Sequence, residues 1–151
     1  MNYHFQNEKA GKQIRDLQEE TRKQLPYAKS ICPSAVELAL WPYALRQATH
    51  LRNCLPDKED ASSPLERFSK TSVTPKLKEN HAFGCPVFSL QSRLAGGRGV
   101  VTKLEPWAQL GINLCPSPRH VGSVPLLLNL QTLMVSPHFH YGCCFRSEER
   151  P

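Results

Sequence analysis

His138, His140, Cys143 and Cys144 form the run H-x-H-x-x-C-C close to the last residue. A strand would put both histidines on one face, and imidazole beside soft sulfur suits zinc. Structural zinc sites rarely use adjacent cysteines, so the expectation is no metal site and no cofactor. His4 and His81 are expected as surface or fold residues rather than general bases. No Ser/His/Asp or Cys/His set carries a supporting motif for a nucleophilic hydrolase. The stretch AGGRG at 95–99 lacks a strand before it, a helix after it and the Lys-Ser/Thr of a phosphate loop. No small-molecule substrate is expected. Trp41 and Trp107 have faces on which bases can stack. A core position is the expectation for both.

Four cations, Lys12, Arg15, Arg22 and Lys23, lie on what reads as one early helix from Glu8 to Leu25. At about 100° per residue, Ala10, Ile14, Leu17, Thr21 and Gln24/Leu25 share its apolar face. Arg15 and Arg22 flank that face on the side of Gly11, and Lys12 and Lys23 lie further round. Asp16, Glu19 and Glu20 sit at spacings that balance these cations on a solvated face. Asn7 can cap the helix, Gly11 weakens it by roughly 1 kcal/mol, and Pro26 predicts a stop after Leu25. A second helix is predicted over Ser34–Asn53, with Leu38, Pro42, Leu45 and Thr49 on one face and a kink or break at Pro42. Ser63-Pro64 predicts a short third helix, PLERFS.

Beyond residues 75–83 the pattern changes. Phe83–Leu90, Ala108–Cys115, Ser123–Leu130 and Thr132–His140 are short apolar runs broken by Gly, Pro, Ser and Asn, as strands and turns are. NLQT reads as a hairpin turn, and QSRLAGGRGVV as a loop between the first two strands. The expected class is α+β.

Composition sets outer bounds. The chain has 151 residues, 13 of them proline, with 40% hydrophobic content and a formal charge of +6. A pI near 9.1 suits an anionic partner such as nucleic acid. Lys and Arg outnumber Asp and Glu in both halves, so neither half is a basic tail. Six cysteines without CxxC spacing, behind a polar N-terminus with no signal-peptide pattern, predict reduced thiols in an intracellular, non-secreted protein. No apolar run approaches the roughly 18 residues of a membrane span.

HFQNEKAGKQIRDL resembles the last catalytic block of copia-type retrotransposon integrases, in which H-x-Q-N-G-x-x-E precedes a basic amphipathic helix. WPYALRQATHLRNCLP, SPLERF with TPKLKENHAFGCPVF, and LGINLCPSPRHVGSVPLLLNLQTLMVSPHFH continue the likeness in order, over about residues 3–141. The resemblance implies helices from the end of a ribonuclease-H-like core over 1–75. It implies a small SH3-like β barrel over 76–141 and a diverged tail over 142–151. In that family two Asp and one Glu hold two Mg²⁺ ions that drive in-line attack on a phosphodiester.

The departures fall at the chemistry. Counting from Gln6-Asn7, the family's glutamate position holds Gly11, and its glycine position holds Glu8. Its two aspartates belong to strands expected upstream of this chain. Gln109 stands where the family usually has Arg, Cys115 where it has Gly, and Leu133 where it has Gly in the last turn. The resemblance therefore implies an inactive integrase remnant, nuclear if functional, with at most weak and non-specific DNA contact through Lys12, Arg15, Arg22 and Lys23. A helix stripe without its sheet implies the rival reading, a protein-interaction or self-association module.

Overall fold

The computed structural model describes residues 3–56, 61–71, 81–91, 94, 104, 106–120 and 124–143, with side chains between 7 and 142. Helices at the N-terminus are followed by a five-stranded antiparallel sheet, so the α+β expectation holds. The predicted loop after the first strand and the TPKLKEN stretch lie almost wholly outside the described residues.

Helix α1 spans Tyr3–Ile31 and runs through Pro26 instead of stopping there. Pro26 has no N–H to give the Arg22 carbonyl, which weakens the turn. The turn beyond it is held by burial. Ala28 is fully buried, and its carbonyl accepts the Cys32 N–H at 3.0 Å. Thr21 and Ala28 are buried and Leu17, Gln24 and Leu25 half-buried along one stripe. Further toward the N-terminus that stripe is uncovered, and Ile14 is 56% exposed.

A turn and a short 3₁₀ segment, Leu38–Leu40, lead into α2, Trp41–Cys54. Pro42 falls in the first turn of α2, where its missing N–H has no carbonyl partner to lose. The helix thus begins there rather than kinking. Its buried face is Ala44, Gln47, Ala48 and Cys54, not the face of Leu38, Pro42, Leu45 and Thr49. At helical spacing those residues lie across the helix from Ala44, Gln47 and Ala48, and it is the small-residue side that packs. Two alanines on that face let α1 approach on one side and the sheet on the other. Helix α3, Pro64–Ser69, forms as expected. Ser63 Oγ accepts the Glu66 N–H at 3.2 Å and the Glu66 carboxylate accepts the Ser63 N–H at 2.8 Å.

The strands are β1 (Pro86–Leu90), β2 (Ala108–Pro116), β3 (Pro125–Asn129), β4 (Val135–Pro137) and β5 (Tyr141–Cys143), in the order β4-β3-β2-β1-β5. β5 returns to pair with β1, which draws residues 142 and 143 of the expected tail into the sheet. NLQT is the β3–β4 turn, where the Asn129 side-chain oxygen accepts the N–H of Gln131 at 2.8 Å. A bulge between Asn113 and Cys115 gives β2 one residue more than β3. Ile112 and Leu114, two residues apart on one face of β2, both enter one core with Ala28, Val36, Ala44, Phe83 and Leu128, so both helices and the sheet feed it. Full burial of each large aliphatic side chain there contributes about 1.5–3 kcal/mol. The other sheet face closes over Cys85, Val87 and Leu127.

The turn before β1 ties the layers together. Buried Asn113 donates through Nδ2 to the carbonyls of His81 (3.0 Å) and Ala82 (3.1 Å), and Gln47 Nε2 donates to His81 O at 3.2 Å. Gly84 has φ +78°, and a Cβ there would overlap the Ala28 side chain. Only glycine lets the chain pass this close to α1.

Candidate nucleic-acid interface

Lys12, Arg15, Arg22 and Lys23 are all exposed on α1. They do not form one patch. At helical spacing Arg15 and Arg22 share a stripe with Gly11, and Lys12 and Lys23 lie about a quarter turn away. Lys23 is paired: its Nζ donates to Glu20 at 2.8 Å. That hydrogen bond, more than the charge of Glu20 alone, lifts the lysine pKa above its usual value. Asp16 faces Arg52 of α2 at 3.4 Å, so it does not neutralise α1's own cations. Lys12, Arg15 and Arg22 make no ion pair among the described residues.

Lys29 is the residue the sequence argument passed over. It stands seven residues beyond Arg22 and fourteen beyond Arg15, so the three cations form a line about 21 Å long at 1.5 Å per residue. The signal was the heptad interval, hidden because α1 was expected to end before Lys29.

Gly11 lies on the same stripe, and a side chain built there meets nothing within 4 Å. Glu8, three residues earlier, is exposed. No group of three or more His, Cys, Asp or Glu able to hold a metal occurs among the described residues. The Mg²⁺ pair implied by the resemblance therefore finds no ligand set in these residues.

The H-x-H-x-x-C-C run does not converge as far as it is described. His138 Nε2 is hydrogen-bonded with Ser136 Oγ at 3.0 Å, and burial pushes the His138 pKa below its usual value. His140 is exposed, and Cys144 lies outside the described residues. His81 stacks edge-on against Tyr141 at 5.5 Å, a fold contact. Both tryptophans depart from expectation. Trp41 is 51% and Trp107 65% exposed, because each stands at the first turn or edge of its element, outside the packed layers. Cys32, Cys54, Cys85 and Cys115 form no disulfide among the described residues. No helix among the described residues is long and apolar enough to cross a membrane.

No family model matches the chain, and no solved structure matches it.

Proposed function

We propose that this chain is a catalytically inactive relative of copia-type integrases whose remaining activity is weak, non-specific DNA binding. One observation carries the reading. α1 keeps Arg15 and Arg22 exposed, and without ion pairs among the described residues, on the stripe where Gly11 stands in place of the motif's glutamate. The phosphate-facing flank survives and the metal ligand does not. Contacts of this kind track phosphates and carry no base information. A DNA role would place the protein in the nucleus.

Three features of the fold support the family reading. A four-strand meander whose fifth strand returns to the first supports an SH3-like β part. Leu133, where the family carries glycine, has the left-handed φ of +56° that glycine would accept at no cost. Helices α1 and α2, packed together ahead of the sheet, support the partial ribonuclease-H-like part.

The test is anisotropy of a short labelled duplex at about 50 and about 200 mM salt, where phosphate binding weakens by tenfold or more. Binding at neither salt overturns the DNA reading. Strand transfer by the chain alone with Mg²⁺ or Mn²⁺ would overturn the inactivity.

Self-association is a second reading with its own support. A mainly apolar groove of about 360 Å³ lies between α1, α2 and the start of α3, lined by Leu17, Ala48, Leu51 and Leu55 with Glu20, Gln24 and Arg52 beside them. Ile14 and Phe68 stand exposed on the flanking helices α1 and α3.

A further inference from the structure

The acids of this chain are unevenly placed in a way that counting by halves conceals. Neither α2, over 41–54, nor any strand, over 81–91 and 106–143, contains an Asp or Glu. The same segments carry Arg46, Arg52 and Arg119 and most of the histidines. Arg52 is answered by Asp16 on the α1 side of α2. On roughly the opposite side of α2 lies a groove of about 560 Å³ against the end of β2. Arg46, His50 and Asn53 stand along its helical wall, with Pro116 and Ser117 across from them. Residues 46, 50 and 53 are spaced four and three apart, which puts them on one helix face. Among the described residues no carboxylate lines the groove.

Burial pushes the pKa of the fully buried Cys115 thiol up, and the nearby charge of Arg46 pulls it part of the way back. A neutral thiol is a weak acceptor and does not neutralise the guanidinium, and Arg46 makes no ion pair among the described residues. His50 Nε2 lies 3.7 Å from Cys54 Sγ, which leaves Nδ1. The two hydroxyls of the groove are engaged: Thr49 donates to Leu45 O at 2.8 Å, and Ser117 is bonded to His120 at 2.8 Å. What remains unengaged among the described residues is a set of nitrogen donors on one face, in a wall to which those residues bring no negative charge. That is the chemistry of an oxyanion with several acceptor oxygens.

We propose that this groove holds a phosphate group of a nucleic-acid backbone, with Arg46, His50 and Asn53 as its donors. The assignment rests on the DNA reading for the source of the phosphate and on the groove alone for the phosphate itself. It adds a second contact surface, on a different helix from the α1 stripe.

Two measurements separate those dependences. Inorganic phosphate is titrated against the whole chain while the His50 ring signals are followed by NMR. A saturating shift that is lost in Arg46→Gln supports the site, and no shift in the parent protein overturns it. The labelled duplex is then bound to the parent, to Asn53→Asp and to Arg15→Gln/Arg22→Gln. Asn53 is exposed, so a carboxylate there spares the packing and places negative charge in the groove. The expected result is a loss of about tenfold with Asn53→Asp and a shallower salt slope. Unchanged affinity in Asn53→Asp, with the parent binding well, overturns the groove and leaves the α1 reading intact. A parent that ignores the duplex yet shows the phosphate shift overturns the nucleic-acid source and leaves a site for free phosphate.

Discussion

Leu133 holds a left-handed backbone, φ +56°, on an exposed turn. A side chain in that region costs about 1–2 kcal/mol, because Cβ crowds the following carbonyl. Leu133→Gly removes that crowding and gives up little packing. It should raise unfolding stability by about 1 kcal/mol in urea titration, net of glycine's larger entropy in the unfolded chain. Gly84 is the mirror case, with φ +78° and Ala28 filling the space of a side chain. Gly84→Ala should cost about 2–4 kcal/mol, since both the dihedral and the contact oppose it. His138 adds a pH dependence. Burial holds its folded pKa below the ordinary value of 6.5, so the unfolded chain takes the proton first. Stability should be flat above about pH 6.5, then fall as pH drops toward the folded pKa. Melting temperatures at pH 7.5 and 5.5 should converge in His138→Gln relative to the parent.

At the scale of elements, α1 is the least economical. It carries Gly11 and Pro26 inside one helix, each unfavourable relative to alanine by roughly 1 and 3 kcal/mol. Both are accommodated, Gly11 in open space and Pro26 beside a turn locked by Ala28. Pro26→Ala restores the N–H that the Arg22 carbonyl lacks and should stabilise the fold by at least about 1 kcal/mol, read from the denaturation midpoint. An unchanged midpoint would mean that the turn already bends away from the proline. The same element shows which features a sequence makes legible. The capping box of α3, the NLQT turn and four of the strands follow from local chemistry, since Ser-Pro, Asn and glycine act within a few residues. The end of α1 does not, because what overrides Pro26 is burial of Ala28 against a turn more than fifty residues away. β5 is three residues long and gains its identity only by pairing with β1. The buried face of α2 is its small-residue side, not the side of its larger apolar residues. Of the candidate site, the exposed cations were legible one by one. Their line with Lys29 and the groove of Arg46, His50 and Asn53 were not, since both depend on where the helices end and what they face.

Across the whole molecule, charge and apolar surface point to different partners, and salt separates them. The acids cluster on α1 and in the segments around α3, while α2 and the sheet have none. Attraction to phosphate from that side weakens steeply as salt rises. The groove between α1, α2 and α3 is mainly apolar, with Glu20, Gln24 and Arg52 also lining it, and Ile14 at 56% and Phe68 at 90% exposure stand on the helices that form it. An interface built there would tighten slightly or hold steady with added salt, because its driving force is removal of apolar surface from water. If this face joins two copies, light scattering should show mass rising over about a hundredfold range of concentration, since association follows mass action. Phe68→Asp should abolish that rise. Phe68 is almost fully exposed, so the change should cost within about 0.5 kcal/mol of fold stability, and loss of association could not be ascribed to unfolding. A strict monomer at every concentration would remove the self-association reading. DNA binding that survives Phe68→Asp would show that the phosphate-facing and apolar surfaces act independently.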